Sequence, residues 1–176
     1  RERFAQIQVE LARLTTLFGS AVLDATDAWL RPLSEGELSG LPESARALLA
    51  QAAGEAGRTG HLATLKGPVV TALLTFADDR ALREEVWTAY QTRASDQGPH
   101  AGRFDNGARI GQILALRHES AQLLGFASAA ELSLADKMAG TPERVLGFLR
   151  DLAAKARPVA ERERAGSQEA RVSSVQ

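Results

Sequence analysis

Between Arg103 and Leu152 the apolar residues recur at helical spacing, and this periodicity limits the chain's possible folds more than any other feature. Ile110, Ile113, Leu114, Arg117, Ala121 and Leu124 share one side at i, i+3, i+4 and i+7 intervals, the stripe of an amphipathic helix. Asp105 or Asn106 precedes the stripe, where a short side-chain oxygen can accept a free first-turn N–H. Gly125 follows it, placed to close the helix in the left-handed conformation. After a polar joint, a second helix opens at Thr141-Pro142-Glu143. Thr141 is its cap, Pro142 fills a first-turn position that needs no N–H, and Glu143 faces the positive helix end. Val145, Phe148, Leu149 and Leu152 predict its buried stripe.

The same period organises most of the rest. Phe4, Ile7, Leu11, Leu14, Phe18 and Val22 line one side of a helix over about residues 1–24. That helix begins without a cap, which predicts that the natural chain is longer at its start. Ser34-Glu35-Gly36-Glu37 has the capping-box pattern of a short helix. Pro42 opens a longer one with Leu48, Leu49 and Ala52 inside, ending in the glycines from Gly54 to Gly60. Pro68 starts a further helical stretch to Phe76. Asp78 or Asp79 caps the next, where Leu82, Val86, Ala89 and Tyr90 face inward. Residues 95–102 carry Gly, Pro and Asp and read as a loop. Two segments read as extended: 26–33, where Thr26, Trp29 and Leu33 favour a strand and Pro32 keeps it at an edge, and 60–66. The predicted class is all-α with one minor two-stranded ribbon. Residues 1–165 form the helical region, and 166–176, rich in Ser, Gln, Glu and Ala, read as a disordered tail.

Composition narrows the function. A net charge of −1 gives no reason to expect nucleic acid or an anionic membrane. The absence of cysteine excludes a disulfide framework and a thiolate zinc site, and fits a cytoplasmic protein. No apolar run is long enough to span a bilayer, and no stretch reads as a signal peptide. Aromatic residues make up only 5%, so the core must be built from Leu, Ala and Val in closely packed helices.

Few residues suggest chemistry. His118-Glu119 invites a zinc reading, but a His-Glu-x-x-His helix needs a second His at position 122, and Gln122 stands there. An amide is a poor zinc ligand. His61 and His100 are the only other histidines, one at a strand start and one in a loop, and they read as unrelated surface residues. The loop from Asp96 to Gly102 could border a binding channel, although such loops more often only connect. Arg157, Arg162 and Arg164 alternate with Glu161 and Glu163, as on a solvated, ion-paired helix face. No phosphate-binding loop or nucleophile elbow occurs. No catalytic, cofactor-binding or metal-ligating residue is therefore assigned.

Several strings in order resemble one family. Ile-Leu-Ala-Leu-Arg-His-Glu-x-Ala-Gln-Leu-Leu-Gly-Phe (113–126) is followed by Ser-Leu-Ala-x-Lys-Met-Ala and Val-Leu-x-Phe-Leu-x-Asp-Leu-Ala. Upstream stand Val-Leu-Asp-Ala-Thr-Asp-Ala-Trp (22–29) and Ala-Leu-Arg-Glu-Glu-Val-Trp-x-Ala-Tyr-x-Thr-Arg-Ala-Ser-Asp-Gln-Gly-Pro (81–99). Together they resemble the thimet-type zinc oligopeptidases, over the part that precedes the family's zinc-binding helix. The resemblance implies that segments 26–33 and 60–66 pair as an antiparallel ribbon. It implies a non-catalytic N-terminal fragment forming part of a substrate-channel wall. Zinc and the hydrolysis of short peptides would then belong to a longer parent, with the remainder of that polypeptide as the fragment's partner. The alternative is a stand-alone helical module that binds peptides or a protein without activity.

Overall fold

The computed structural model describes residues 1–173, with side-chain surroundings described to residue 166. It is mainly helical, with one two-stranded antiparallel sheet among the described residues, as the periodicity predicts. The chain forms two compact units, Arg1–Leu116 and Arg117 onward. The division between the units falls inside a helix.

The first unit opens on α1 (Glu2–Ala28). Ile7, Leu14, Ala21 and Ala25 form its buried line. Phe4, Leu11, Phe18 and Val22 are only half-buried flanks of that line. Helix continues four residues past the expected end, so Thr26 is helical and not extended. Its hydroxyl donates to the Val22 carbonyl at 2.7 Å, a back-bond that lets a β-branched residue stay in the helix. The strand β1 therefore covers only Leu30–Leu33.

β1 pairs antiparallel with β2 (His61–Thr64), with Leu30 opposite Thr64 and Leu33 opposite His61. β1 alternates exposed and half-buried, and Pro32, which has no N–H, is tolerated at this edge. β2 is buried at Leu62, Ala63 and Thr64. Period-two alternation sends successive side chains to opposite faces. Leu62 thus joins Ala52 and Ala53 of α2 (Glu43–Glu55), while Ala63 and Leu65 join the larger core. That core holds Trp29, Leu49 and Leu73 with Leu82 and Val86. Leu73 comes from α3 (Gly67–Phe76), and Leu82 and Val86 from α4 (Arg80–Gln91).

Local chemistry sets the element boundaries. Of the two aspartates before α4, Asp79 is the cap, accepting from the N–H groups of Ala81 at 2.8 Å and Leu82 at 3.2 Å. Asp78 instead accepts from the Ser39 hydroxyl at 2.7 Å. Residues 35–38 form a single 3₁₀ turn, in which the Glu37 carboxylate accepts from the Ser34 N–H at 2.8 Å and from its hydroxyl at 2.7 Å. Arg31 of β1 donates to Glu37 at 2.6 Å and to Glu85 of α4 at 2.8 Å. One guanidinium thereby ties the ribbon to the turn and to a helix. α5 (Gly107–Leu123) starts where Asp105 accepts from the Gly107 N–H at 2.8 Å. Asn106 is buried, and its side-chain amide donates to the Phe18 carbonyl of α1 at 3.2 Å.

In the second unit, Gly125 lies at φ +85° and ends α5 as expected, with the Phe126 N–H donating back to Ala121 at 3.0 Å. The polar joint contains a short helix, α6 (Ala129–Leu134). Ser128 accepts from the Glu131 N–H at 3.1 Å, and Glu131 accepts from the Ala127 N–H at 3.0 Å. α7 (Pro142–Ser173) begins with Thr141 accepting from the Arg144 N–H at 3.3 Å. It runs through Pro158 and through residues 166–173, where composition reads as a disordered tail; residues 174–176 lie outside the described ones. The predicted α7 stripe is not buried. Phe148 is 66% exposed, Leu149 50% and Leu152 52%, because nothing within the unit covers that side. On α5 only Ile113 and Ala121 of the predicted stripe are buried, while Ile110, Leu114 and Leu124 are exposed.

The Arg31 guanidinium, then the Ser34 N–H and hydroxyl, lower the Glu37 carboxyl from 4.5 to about 2. A carboxylate lowered on folding stabilises the fold above its ordinary range, and that contribution is lost as pH falls from 4.5 towards 2. Glu37→Gln is expected to cost about 1 kcal/mol at neutral pH, typical of charge-assisted hydrogen bonds at a partly open site. It should also flatten the pH dependence of stability across that acid window. Urea titrations of both proteins at several pH values, followed by Trp29 fluorescence, measure the two effects.

Candidate functional site

The loop after α4 is the most elaborately built irregular segment of the first unit. Thr92 ends the helix, its hydroxyl donating to the Thr88 carbonyl at 2.7 Å. The Arg93 guanidinium lies 3.6 Å from the centre of the Tyr90 ring and donates to the Tyr90 carbonyl at 2.8 Å and to the Thr26 hydroxyl at 3.2 Å. Ala94 takes a positive φ of 53°, rare without a compensating bond, and its carbonyl accepts from the Asn106 N–H at 3.0 Å. Ser95 crosses the loop base, its carbonyl accepting from the Gly102 N–H at 3.1 Å. Gly98 has φ +79°, and a Cβ there would fall 1.9 Å from the Thr92 hydroxyl oxygen. The loop from Asp96 to Gly102 is thus folded down onto the end of α4.

His100 points inward from this loop. Its ring meets Phe104 edge-on, with centroids 6.1 Å apart, and its Nε2 is buried without a hydrogen-bond partner among the described residues. Beneath it, Trp29, Leu65 and Arg93 help line a cavity of about 10 Å³. That volume takes one water at most, so this side of the loop offers no room for a peptide.

A larger cleft of about 200 Å³ opens elsewhere in the unit, where the ends of α1 and α2 meet β2. Asp27, Glu55, Thr64 and Lys66 face it. Lys66 donates to Glu55 at 3.0 Å, and Gln51 donates to the other Glu55 oxygen at 3.0 Å. Lys66, then Gln51, hold the Glu55 carboxyl below its ordinary range, and Glu55 raises the Lys66 ammonium. The cleft contains a satisfied ion pair and no activated nucleophile. Residues from three distant stretches make it, so no local pattern announces it.

The histidines stay apart. His61 lies in β2, its Nδ1 3.8 Å from Glu35, and His100 lies in the loop. His118 is exposed on α5, with Gln122 one turn on. No group of three His, Asp or Glu residues able to hold a metal occurs among the described residues. The described residues therefore do not fit a zinc site of three protein ligands. In α7, Arg157 lies 3.6 Å from Glu161, both largely exposed, the ion-paired surface that the alternating charges predict. No helix of the described residues is long and apolar enough to cross a membrane.

The described residues form a mainly helical segment with one small ribbon. Comparison with known proteins supplies the class. Residues 73–174, more than half of the chain, match the model of peptidase family M3, and the chain belongs to that family. It is 48% identical to oligopeptidase A of Salmonella typhimurium over 93% of its own length, which is 24% of that relative. It is 42% identical to the organellar oligopeptidase A of Arabidopsis thaliana over 86% of the chain and 20% of the relative. It is 34% identical to the dipeptidyl carboxypeptidase of Escherichia coli over 92% of the chain and 24% of the relative. The chain thus spans about a quarter or less of the curated relatives it matches.

Two expected outcomes follow from this geometry. Gly98→Ala should destabilise the loop by about 1–3 kcal/mol, the usual cost of a strained backbone with a clash. Hydrogen exchange of amides 94–106 should rise while that of β2 stays unchanged. Equilibrium dialysis against zinc should leave less than one tightly held metal per chain.

Proposed function

We propose that this chain is the non-catalytic N-terminal helical segment of an oligopeptidase A-type zinc metallopeptidase, contributing part of the wall that surrounds the substrate channel. The observation that carries the reading is the match itself. Identity of 48% runs over 93% of the chain yet spans only 24% of the relative, and this part brings no set of metal ligands with it. The chemistry then belongs to the remainder of a longer chain, and no catalytic step is assigned to residues here. What this segment supplies is shape. Closely packed helices and a tied-down loop hold a fixed surface, and a rigid wall selects by excluding chains too bulky to enter. The substrates proposed for the whole enzyme are short peptides. The proposed setting is cytoplasmic, supported by a sequence without cysteine.

The test is a quenched fluorescent short peptide, incubated with this chain and with the product of the longer reading frame, each with and without a chelator. Cleavage is expected from the longer product only and should disappear with chelator. Chelator-sensitive cleavage by the 176-residue chain alone would overturn the division of labour. An inactive longer product without a zinc motif would favour a stand-alone interaction module.

A further inference from the structure

The cleft where α1 and α2 end breaks a local rule twice. A helix C-terminus carries about half a negative charge, so its last turn favours cations and disfavours carboxylates. Neither α1 nor α2 has a basic residue in its last turn. Each places a carboxylate there instead, Asp27 on α1 and Glu55 on α2. Both face one cleft of about 200 Å³. Sequences break such rules chiefly at functional places, so two breaks that converge single this cleft out.

The two carboxylates are not in the same state. Glu55 is matched, accepting from Lys66 and from Gln51, each at 3.0 Å. Asp27 makes no hydrogen bond and no ion pair among the described residues. Glu55 chiefly, and Asp27 more weakly, raise the Lys66 ammonium, so Asp27 is within electrostatic reach of Lys66 without being paired to it. Two carboxylates and two helix ends thus face one ammonium, and the cleft keeps a negative excess. The hydroxyls do not invite an anion either. That of Thr26 donates to the Val22 carbonyl at 2.7 Å, and that of Thr64 accepts from the Lys66 backbone N–H at 3.4 Å. An anion drawn to the spare Lys66 donors would meet Glu55 and Asp27 in the same space. The rest of the lining is apolar, from Leu30, Ala52 and Ala56. The volume falls below the roughly 300 Å³ at which pockets for drug-sized ligands begin, so it suits a group the size of one side chain.

We propose that this cleft binds an organic cation of side-chain size, an ammonium or guanidinium on an alkyl stem, with its charge on Asp27 and its stem along Leu30 and Ala56. A free alkyl diamine has this chemistry, and so does a lysine or arginine side chain of a peptide. The cation exchanges water for a carboxylate at the negative end of a helix, and the stem leaves water for an apolar wall. The inference stands apart from the function proposed above, because every residue of the cleft belongs to the first unit.

The experiment titrates the 176-residue chain with n-butylammonium at neutral pH and follows the amide chemical shifts of residues 26–30 and 62–66. The expected result is a saturable shift with a Kd of about 1–10 mM, the range open to a ligand of so few atoms. Butyrate should give none. Asp27→Asn should weaken binding at least about 10-fold, the usual effect of losing one charge-assisted bond. Lys66→Met removes the competing ammonium and frees Glu55, so it should tighten binding. Glu43→Gln, at the other end of α2, should leave it unchanged. Cadaverine and N-acetyl-lysine methylamide distinguish the two sources: whichever binds more tightly, the site is supported and its ligand assigned to a free amine or to a peptide side chain. Shifts that never saturate with any cation overturn the proposal, as does an unchanged affinity in Asp27→Asn. Saturation by butyrate in place of butylammonium makes Lys66 the receptor and also overturns it. If Asp27→Asn disturbs the hydrogen exchange of β2, Ala56→Phe fills the cleft from an exposed position instead, and binding that survives this second variant overturns the proposal.

Discussion

The first unit depends on the burial of β2. A strand in a two-stranded ribbon ordinarily keeps one face in water, but here Leu62, Ala63 and Thr64 are all inside. Leu62 takes one side with Ala52 and Ala53, and Ala63 takes the other with the main core. Three small or medium side chains in a row let the chain pack closely against both faces. β1 is free to be the edge, to carry Pro32 and to offer Arg31 to the two carboxylates that fix the turn and α4 beside it. Remove the strand, and α2, α3 and the end of α1 lose their common surface.

The legible features were those that repeat over several turns or close on a single residue. The helices, the Gly125 stop and the Thr141 start could all be read, because the signal lies within a few residues of the feature. The end of α1 could not. Thr26 has strand propensity, but a local back-bond holds it in the helix, and the extended backbone begins only at Trp29. α6 had its signal in Ser128 and Glu131, three apart, although the stretch reads first as polar. Asp78 and Asp79 could not be separated by sequence, because the choice turns on Ser39, which lies 39 residues away from Asp78.

Site reading divided along the same line. That Gln122 cannot serve as the second ligand of a His-Glu-x-x-His helix is a statement about one position, and it was readable there. The cleft at Lys66 and the inward turn of His100 are tertiary facts, assembled from segments with no local mark. The stripes on α5 and α7 teach the converse lesson. Their apolar pattern was read as buried, whereas the structure leaves most of it exposed, because an amphipathic pattern does not name what would bury it. Phe148 is 66% exposed, and no residue of its own unit covers it.

Asn106 carries a consequence for the order of assembly. Its buried amide is bonded to the Phe18 carbonyl, 88 positions earlier in the chain. During synthesis α1 emerges first, and its bond to Asn106 must wait until residue 106 has been added. Contacts so distant in sequence cost loop entropy before they return any stability. A ribosome-bound chain stopped before residue 106 therefore lacks the side-chain bond by which the start of α5 is tied to α1.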